Sequence, residues 1–270
     1  MINNTIIGQY YPSESILHKI DPRIKIVFTM LFSSLIFFVK NLSNYILLGL
    51  FIFSLIKISK IPIKFILKGI KSTIFFITLT SILNIFFTNG TTLIKYKFIT
   101  ITYEGLYYCA LIIIRMFFLM ITTSLLTLCT LPTSITDGIE GLLLPLKKFK
   151  FPVHEFAMMI TIAIRFIPTI SEEIEKIIKA QSSRGVDFET KNLIKKLKYA
   201  MSILVPLLAN SFRRADELAI AMECRCYRGD ENRSKFKKLK LKRIDLYACF
   251  TIIAFICFVL IFKNYKMVKI

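Results

Sequence analysis

Two short stretches carry residues suited to gripping another protein. Ala180-Gln181-Ser182-Ser183-Arg184-Gly185 and Ala221-Met222-Glu223-Cys224-Arg225-Cys226 each set a small residue four positions before an arginine, at the far end of a helix-periodic run that follows a proline. Positions i and i+4 share a helix face, so each end offers bare backbone beside one guanidinium, whose planar fork suits a carboxylate. The chemistry this implies is docking. The candidate residues are Ala180, Ser183, Arg184 and Gly185 in the first arm and Ala221, Cys224, Arg225 and Cys226 in the second.

Catalytic chemistry has no comparable footing. There is no Gly-x-x-x-x-Gly-Lys-Ser/Thr loop to cradle nucleotide phosphates and no acyl-transfer motif. His18 and His154 stand alone. Cys224 and Cys226 bracket Arg225, but two thiols without a nearby histidine fall short of a closed metal site, so packing is their expected role. The other four cysteines, at 109, 129, 249 and 257, lie in apolar segments and imply no disulfide framework. No catalytic residue, metal or cofactor is expected.

The arms need an anchor, and composition supplies it. With 270 residues, 55% of them hydrophobic, and a mean hydropathy of +0.62, the chain reads as an all-α polytopic membrane protein. About five membrane helices are expected, near Ile24–Val39, Tyr45–Ile58, Ile70–Phe87, Leu106–Leu131 and Ile244–Phe262, since roughly 20 apolar helical residues cross a bilayer. The first two are short. The expected organisation is a membrane domain over 1–131, a cytoplasmic helical domain over 132–243 with the two arm helices at about 169–185 and 206–227, and a last membrane helix and tail over 244–270.

Basic residues set the orientation. Lys57, Lys60, Lys64, Lys68 and Lys71 crowd the second connection, against Lys40 in the first and Lys95 and Lys97 in the third. The second connection therefore faces inward, and with it the N-terminus and the stretch from Leu131 to Arg243. That count puts the C-terminal tail outside, while Lys263, Lys266 and Lys269 suit an inward tail equally well. Val153–Ile170 is apolar but contains Glu155 and Arg165. With basic clusters flanking the region, it is expected to lie partly embedded at the inner surface without crossing. Met1 to Tyr11 lacks the features of a cleavable signal. The net charge of +20 matches a basic inner face and anionic lipid better than nucleic acid, for which no binding motif is present. Arg115 lies inside the fourth segment, where it calls for a structural contact in the bundle interior, a cavity or a partner.

In the first arm Ile170, Ile174, Ile177 and Ile178 line one face after Pro168, with Ser171 the expected N-terminus and Gly185 the stop. In the second, Leu207, Leu208, Ala215, Leu218, Ala219 and Met222 line a face after Pro206, with a stop near Cys226-Tyr227 or later at Gly229.

Tyr10-Tyr11-Pro12, His18, Asp21-Pro22-Arg23-Ile24-Lys25, Arg165-Phe166-Ile167-Pro168 and Ala221-Met222-Glu223 follow one another in an order that closely resembles the transmembrane T component of energy-coupling factor transporters, the EcfT family. The resemblance runs nearly end to end. It implies that the arms are coupling helices whose Ala-Arg-Gly signatures dock two cytoplasmic ABC-type ATPase subunits, which would hydrolyse the ATP, with Arg184 and Arg225 as the docking arginines. It also implies a membrane S component that binds a vitamin or other micronutrient. This chain departs from that pattern at Ser183, Cys224 and Cys226. A Cys β-carbon disfavours the left-handed turn that glycine permits. A T component dedicated to one metal-ion or biotin importer is the nearest alternative. A membrane-embedded enzyme or a self-sufficient carrier would need convergent catalytic groups or repeated membrane helices, neither of which is present.

Overall fold

The computed structural model describes residues 10–39, 42–71, 73–88, 90–96, 99–188, 190, 192–229 and 241–264. Lys40, Lys97, Lys266, Lys269 and most of the basic run ending at Arg243 lie outside them. In chain order the helices are α1 (Ile16–Lys19), α2 (Pro22–Phe38), α3 (Leu42–Ser59), α4 (Ile63–Lys71), α5 (Ile74–Phe87), α6 (Tyr103–Cys129), α7 (Pro132–Leu143), α8 (Val153–Ser183), α9 (Leu193–Cys224) and α10 (Arg243–Asn264). A 3-10 turn, Leu144–Phe149, precedes α8. The all-α expectation holds with one addition among the described residues, an antiparallel hairpin of β1 (Thr92–Tyr96) and β2 (Ile99–Thr102) between α5 and α6. The run Ile99-Thr100-Ile101-Thr102 is entirely β-branched, which favours extended backbone.

The chain forms two compact units, Met1–Gly141 with Leu239–Ile270, and Leu142–Lys238. Within the first unit α7 packs on the start of α2, where a β-carbon at Gly138 would stand 3.2 Å from Pro22 and one at Gly141 would overlap Arg23. In the first unit Phe32 and Ile36 of α2, Tyr45 and Leu48 of α3, Leu111 and Leu125 of α6 and Val259 of α10 are buried together. Met30, Phe38, Leu50, Phe53, Phe75, Phe76 and Phe250 point outward and are exposed. An apolar exterior around an apolar core is a surface solvated by lipid, not by water. By length and composition α6 and α8 suffice to cross a bilayer, and the apolar stretches Asn44–Ser59 and Ile74–Ile85 are shorter. The segment expected at Ile70–Phe87 is divided, α4 ending at Lys71 and α5 starting at Ile74.

The motif residues near the start of the chain clasp one end of this bundle. Tyr11 N–H donates to Leu128 O at 3.0 Å, Ser13 Oγ to Ser59 O at 3.1 Å and Asp21 N–H to Asp245 Oδ1 at 2.8 Å. Lys25 Nζ donates to Cys129 O at 3.1 Å. The three carbonyls end α3 and α6, where helix geometry leaves them without an intrahelical donor. The starts of α2 and α10 and the ends of α3 and α6 therefore share one end. From it α10 runs along α3, with Phe255 stacked on Phe51 at 4.0 Å.

Arg115, the arginine inside α6, makes a structural contact. Its Nε donates to Tyr45 Oη at 3.1 Å and its Nη2 to Val39 O at 3.3 Å, with the Phe37 ring 5.7 Å from the guanidinium carbon. Tyr45 Oη reaches Val39 O at 3.1 Å and Ile36 O at 3.3 Å. Arg115 and Tyr45 thus satisfy the last carbonyls of α2, where Val39 and Tyr45 are buried. Tyr45→Phe should cost about 1–3 kcal/mol by leaving these groups short of a partner. Denaturant unfolding of the detergent-solubilised protein measures it, and an unchanged midpoint would contradict the contact.

His18 holds the clasp in its neutral form. Its Nε2–H donates to Tyr11 O at 3.0 Å while Ser15 Oγ donates to Nδ1 at 2.6 Å. Burial lowers its pKa below 6.5, the Tyr11 carbonyl opposes that shift, and the charge of Lys25 adds to it. A folded pKa below the unfolded one gives stability that is complete above about pH 6.5 and lost as pH falls through the lowered value. The Tm should fall between pH 7 and pH 5 in the wild type and less steeply in His18→Gln. Equal slopes would contradict the assignment.

Candidate docking site

Both arms are longer than their periodicity predicts. The second unit is built on α8 and α9, which start at Val153 and Leu193 and run through Pro168 and Pro206 without a break. Ser171, the expected N-terminus of the first arm, sits mid-helix with its Oγ on Ile167 O at 2.9 Å. The second arm begins instead where Asn192 Oδ1 accepts from Ile194 N–H at 3.0 Å. Pro206 has no N–H for the carbonyl four residues earlier, Ser202 O, and Gln181 Nε2 of α8 supplies a donor at 3.4 Å. A proline that would interrupt an isolated helix here becomes a bridge between two.

The helices run in opposite senses and meet at one carboxylate. Glu173 Oε1 accepts from Asn210 Nδ2 at 2.5 Å and Glu173 Oε2 pairs with Arg214 Nη2 at 2.9 Å. The step from Arg184 to Arg225 is 41 residues, and the same step carries Glu173 to Arg214. It also carries the contacting pair Gln181 and Ser202 to Met222 and Thr161, which line one pocket. The crossing therefore has an approximate twofold relation. Each signature arginine lies eleven residues beyond the pair, about 16 Å along its helix at 1.5 Å per residue, in opposite directions.

The two helix ends have the same backbone. In the first, Gly185 N–H donates to Ser182 O at 3.0 Å and Val186 N–H to Gln181 O at 3.1 Å; in the second, Cys226 N–H donates to Glu223 O at 2.8 Å and Tyr227 N–H to Met222 O at 3.0 Å. This is the Schellman arrangement, with a left-handed residue just past the cap. Gly185 takes φ 86° and Cys226 φ 55°, so the cysteine adopts the conformation its β-carbon disfavours. Of the two stops left open for the second arm, the helix takes the earlier one. All eight candidate residues, Ala180, Ser183, Arg184, Gly185, Ala221, Cys224, Arg225 and Cys226, are exposed.

An arm read as starting after Pro206 leaves out the first turns of α9, where Leu193, Ile194, Leu197, Met201, Leu204 and Val205 form an exposed apolar stripe that continues through Leu208 and Phe212. Spacings of three and four after Asn192 are the signal that marks it. The Glu173–Arg214 pair is likewise hidden until the 41-residue step is applied beyond the signatures themselves.

A lipid-facing bundle joined to a crossed helix pair with exposed arginine ends describes a membrane component that works through partners. Comparison with known proteins identifies which kind. The CbiQ family, described as cobalt transport protein, matches residues 13–236. The energy-coupling factor transporter transmembrane protein EcfT of Ruminiclostridium cellulolyticum is 48% identical over 263 residues, 97% of this chain and 98% of its own. EcfT of Clostridium kluyveri is 47% identical over 95% of this chain and 96% of its own, and that of Bacillus subtilis 43% over 88% and 91%. The chain belongs to the EcfT family: it is a transmembrane energy-coupling component of an energy-coupling factor transporter, located in a membrane.

The left-handed Cys226 gives a direct test of the end geometry. Cys226→Gly should favour the second helix end by about 1 kcal/mol and slow hydrogen exchange at the residue 226 and Tyr227 amides. Unchanged or faster exchange would contradict it.

Proposed function

We propose that this chain couples two cytoplasmic ABC-type ATPase subunits to a substrate-binding S component, as a multi-pass protein of a prokaryotic plasma membrane. The observation that carries this is the pair of exposed, Schellman-capped arginine ends pointing away from a single crossing. Two like ends suit two like subunits. Arg184 and Arg225 each offer a guanidinium fork to a carboxylate, beside the small residues Ala180, Ser183 and Gly185 or Ala221, Cys224 and Cys226 that permit close approach. Closure of the ATPase pair on ATP would move the ends relative to each other, and the rigid helices would carry that motion to the crossing. The S component, tipped by it, would release a vitamin or other micronutrient inward. The apolar stripe of α9 supports a partner on the arms, because an exposed face of that size on a helix pair calls for cover.

The description of the CbiQ family as a cobalt transport protein favours a second reading, a T component dedicated to one metal-ion importer. Co-purification of several S components supports the shared role, and of one alone the dedicated role.

Loss of one partner of a desolvated charge pair costs about 2–5 kcal/mol. Arg184→Ala with Arg225→Ala should therefore reduce ATPase recovery in pull-downs from solubilised membranes at least tenfold and abolish uptake, while the protein still inserts. Undiminished recovery and uptake would contradict the docking assignment.

A further inference from the structure

The two helix ends share a backbone but not a charge. An open pocket of about 590 Å³ lies against the second end, its lining including Arg165 and Ile162 of α8 and Leu218, Met222, Arg225 and Arg228 at and beyond the end of α9. Among the described residues that line it none is acidic, and the nearby carboxylate is that of Glu155, whose Oε1 stands 3.6 Å from where a β-carbon on Gly229 would lie at the pocket's rim. Among the described residues, no hydrogen bond or ion pair engages any of the three guanidinium groups. The 41-residue step provides an internal comparison. At the first end the residues equivalent to Arg165, Arg225 and Arg228 are Pro206, Arg184 and Asp187, so three positive charges become one positive and one negative. Docking onto like subunits explains Arg184 and Arg225 but gives no reason for Arg165 and Arg228.

The rest of the lining indicates what the extra arginines meet. Ile162, Leu218 and Met222 line the same pocket as the guanidiniums, a poor setting for a fully hydrated ion and a good one for a phosphate that carries hydrocarbon. The helix supplying one wall is apolar enough to enter a bilayer. Phe156 and Met159 on it, and Phe151 just before it, are exposed. Guanidiniums beside an exposed apolar helix face belong at the boundary between headgroups and acyl chains.

We propose that this pocket binds the phosphate headgroup of an anionic phospholipid, with its glycerol and upper acyl carbons against the apolar lining. The bound lipid holds the second helix end at the membrane surface. The first end, without the arginine cluster, has no such tether. Arg225 and Cys226 of the docking signature border this pocket, whereas Arg165 and Arg228 belong to neither signature, so replacing those two tests the lipid site while leaving both docking arginines in place.

The test uses the full chain in phosphatidylcholine nanodiscs containing spin-labelled phosphatidylglycerol, with the immobilised fraction read by electron paramagnetic resonance. Arg165→Gln with Arg228→Gln should lower the preference for phosphatidylglycerol over phosphatidylcholine roughly thirtyfold, the combined effect of two arginines at an anionic surface. Arg165→Lys with Arg228→Lys should retain most of it, which separates lost charge from misfolding. Three results would overturn the proposal: a preference unchanged in the Gln pair, displacement of the lipid by millimolar inorganic phosphate, which reassigns the site to soluble phosphate, or loss of ATPase recovery in the Gln pair with lipid preference intact, which reassigns it to a protein carboxylate.

Discussion

Glu173 is the point on which the arms depend. Its carboxylate receives Asn210 and Arg214 at once, and with 13% of the side chain exposed it is largely withdrawn from water while Arg214 keeps 34%. A fully exposed ion pair contributes about 1 kcal/mol or less, whereas breaking a buried one costs about 3–5 kcal/mol. This pair lies between those limits, and its value is positional as much as energetic. It fixes where along each helix the other crosses, and so sets equal lengths of helix between the crossing and the two arginines. Gln181 on the carbonyl freed by Pro206 adds a second fixed point eight residues away on α8. Two fixed points hold the pair of helices in one register and at one crossing.

The first unit has a comparable economy of polar contacts. Its core is apolar and so is its outer surface, so hydrophobic burial alone cannot specify which helix packs on which in lipid. The specifying contacts are the few polar ones. Lys25, Ser13, Tyr11 and Asp21 tie four helix ends together, and Arg115 with Tyr45 completes the end of α2. A small-residue approach assists, since a β-carbon at Gly49 would come within 3.2 Å of Phe118. The same motif residues that carry the family resemblance near the start of the chain are thus structural.

The helical class and the two arginine ends were legible in the sequence because each depends on local patterns, apolar blocks in the first case and a small residue four before arginine in the second. What was hidden depended on tertiary context. Pro168 and Pro206 read as helix starts, but partner contacts outweigh a proline's local cost, as the Gln181 bridge shows at Pro206. Cys226 read as a poor substitute for glycine, yet the two hydrogen bonds of the Schellman end hold it at positive φ. The partner of Arg115 lay seventy residues away at Tyr45, a distance no periodicity reports. The hairpin between α5 and α6 could have been found from its β-branched run. Of the candidate docking residues, the structure brings each set of four together at one helix end and leaves all eight accessible.

The role of the crossing contact at Glu173 is tested most directly by exchanging its charges. In the complete reconstituted complex, Glu173→Arg and Arg214→Glu are made singly and together, and substrate uptake is measured against ATP hydrolysis. If the crossing transmits the stroke, each single reversal lowers uptake per ATP hydrolysed while hydrolysis continues, and the double exchange restores much of the loss. Uptake that stays coupled in both single variants would contradict the account.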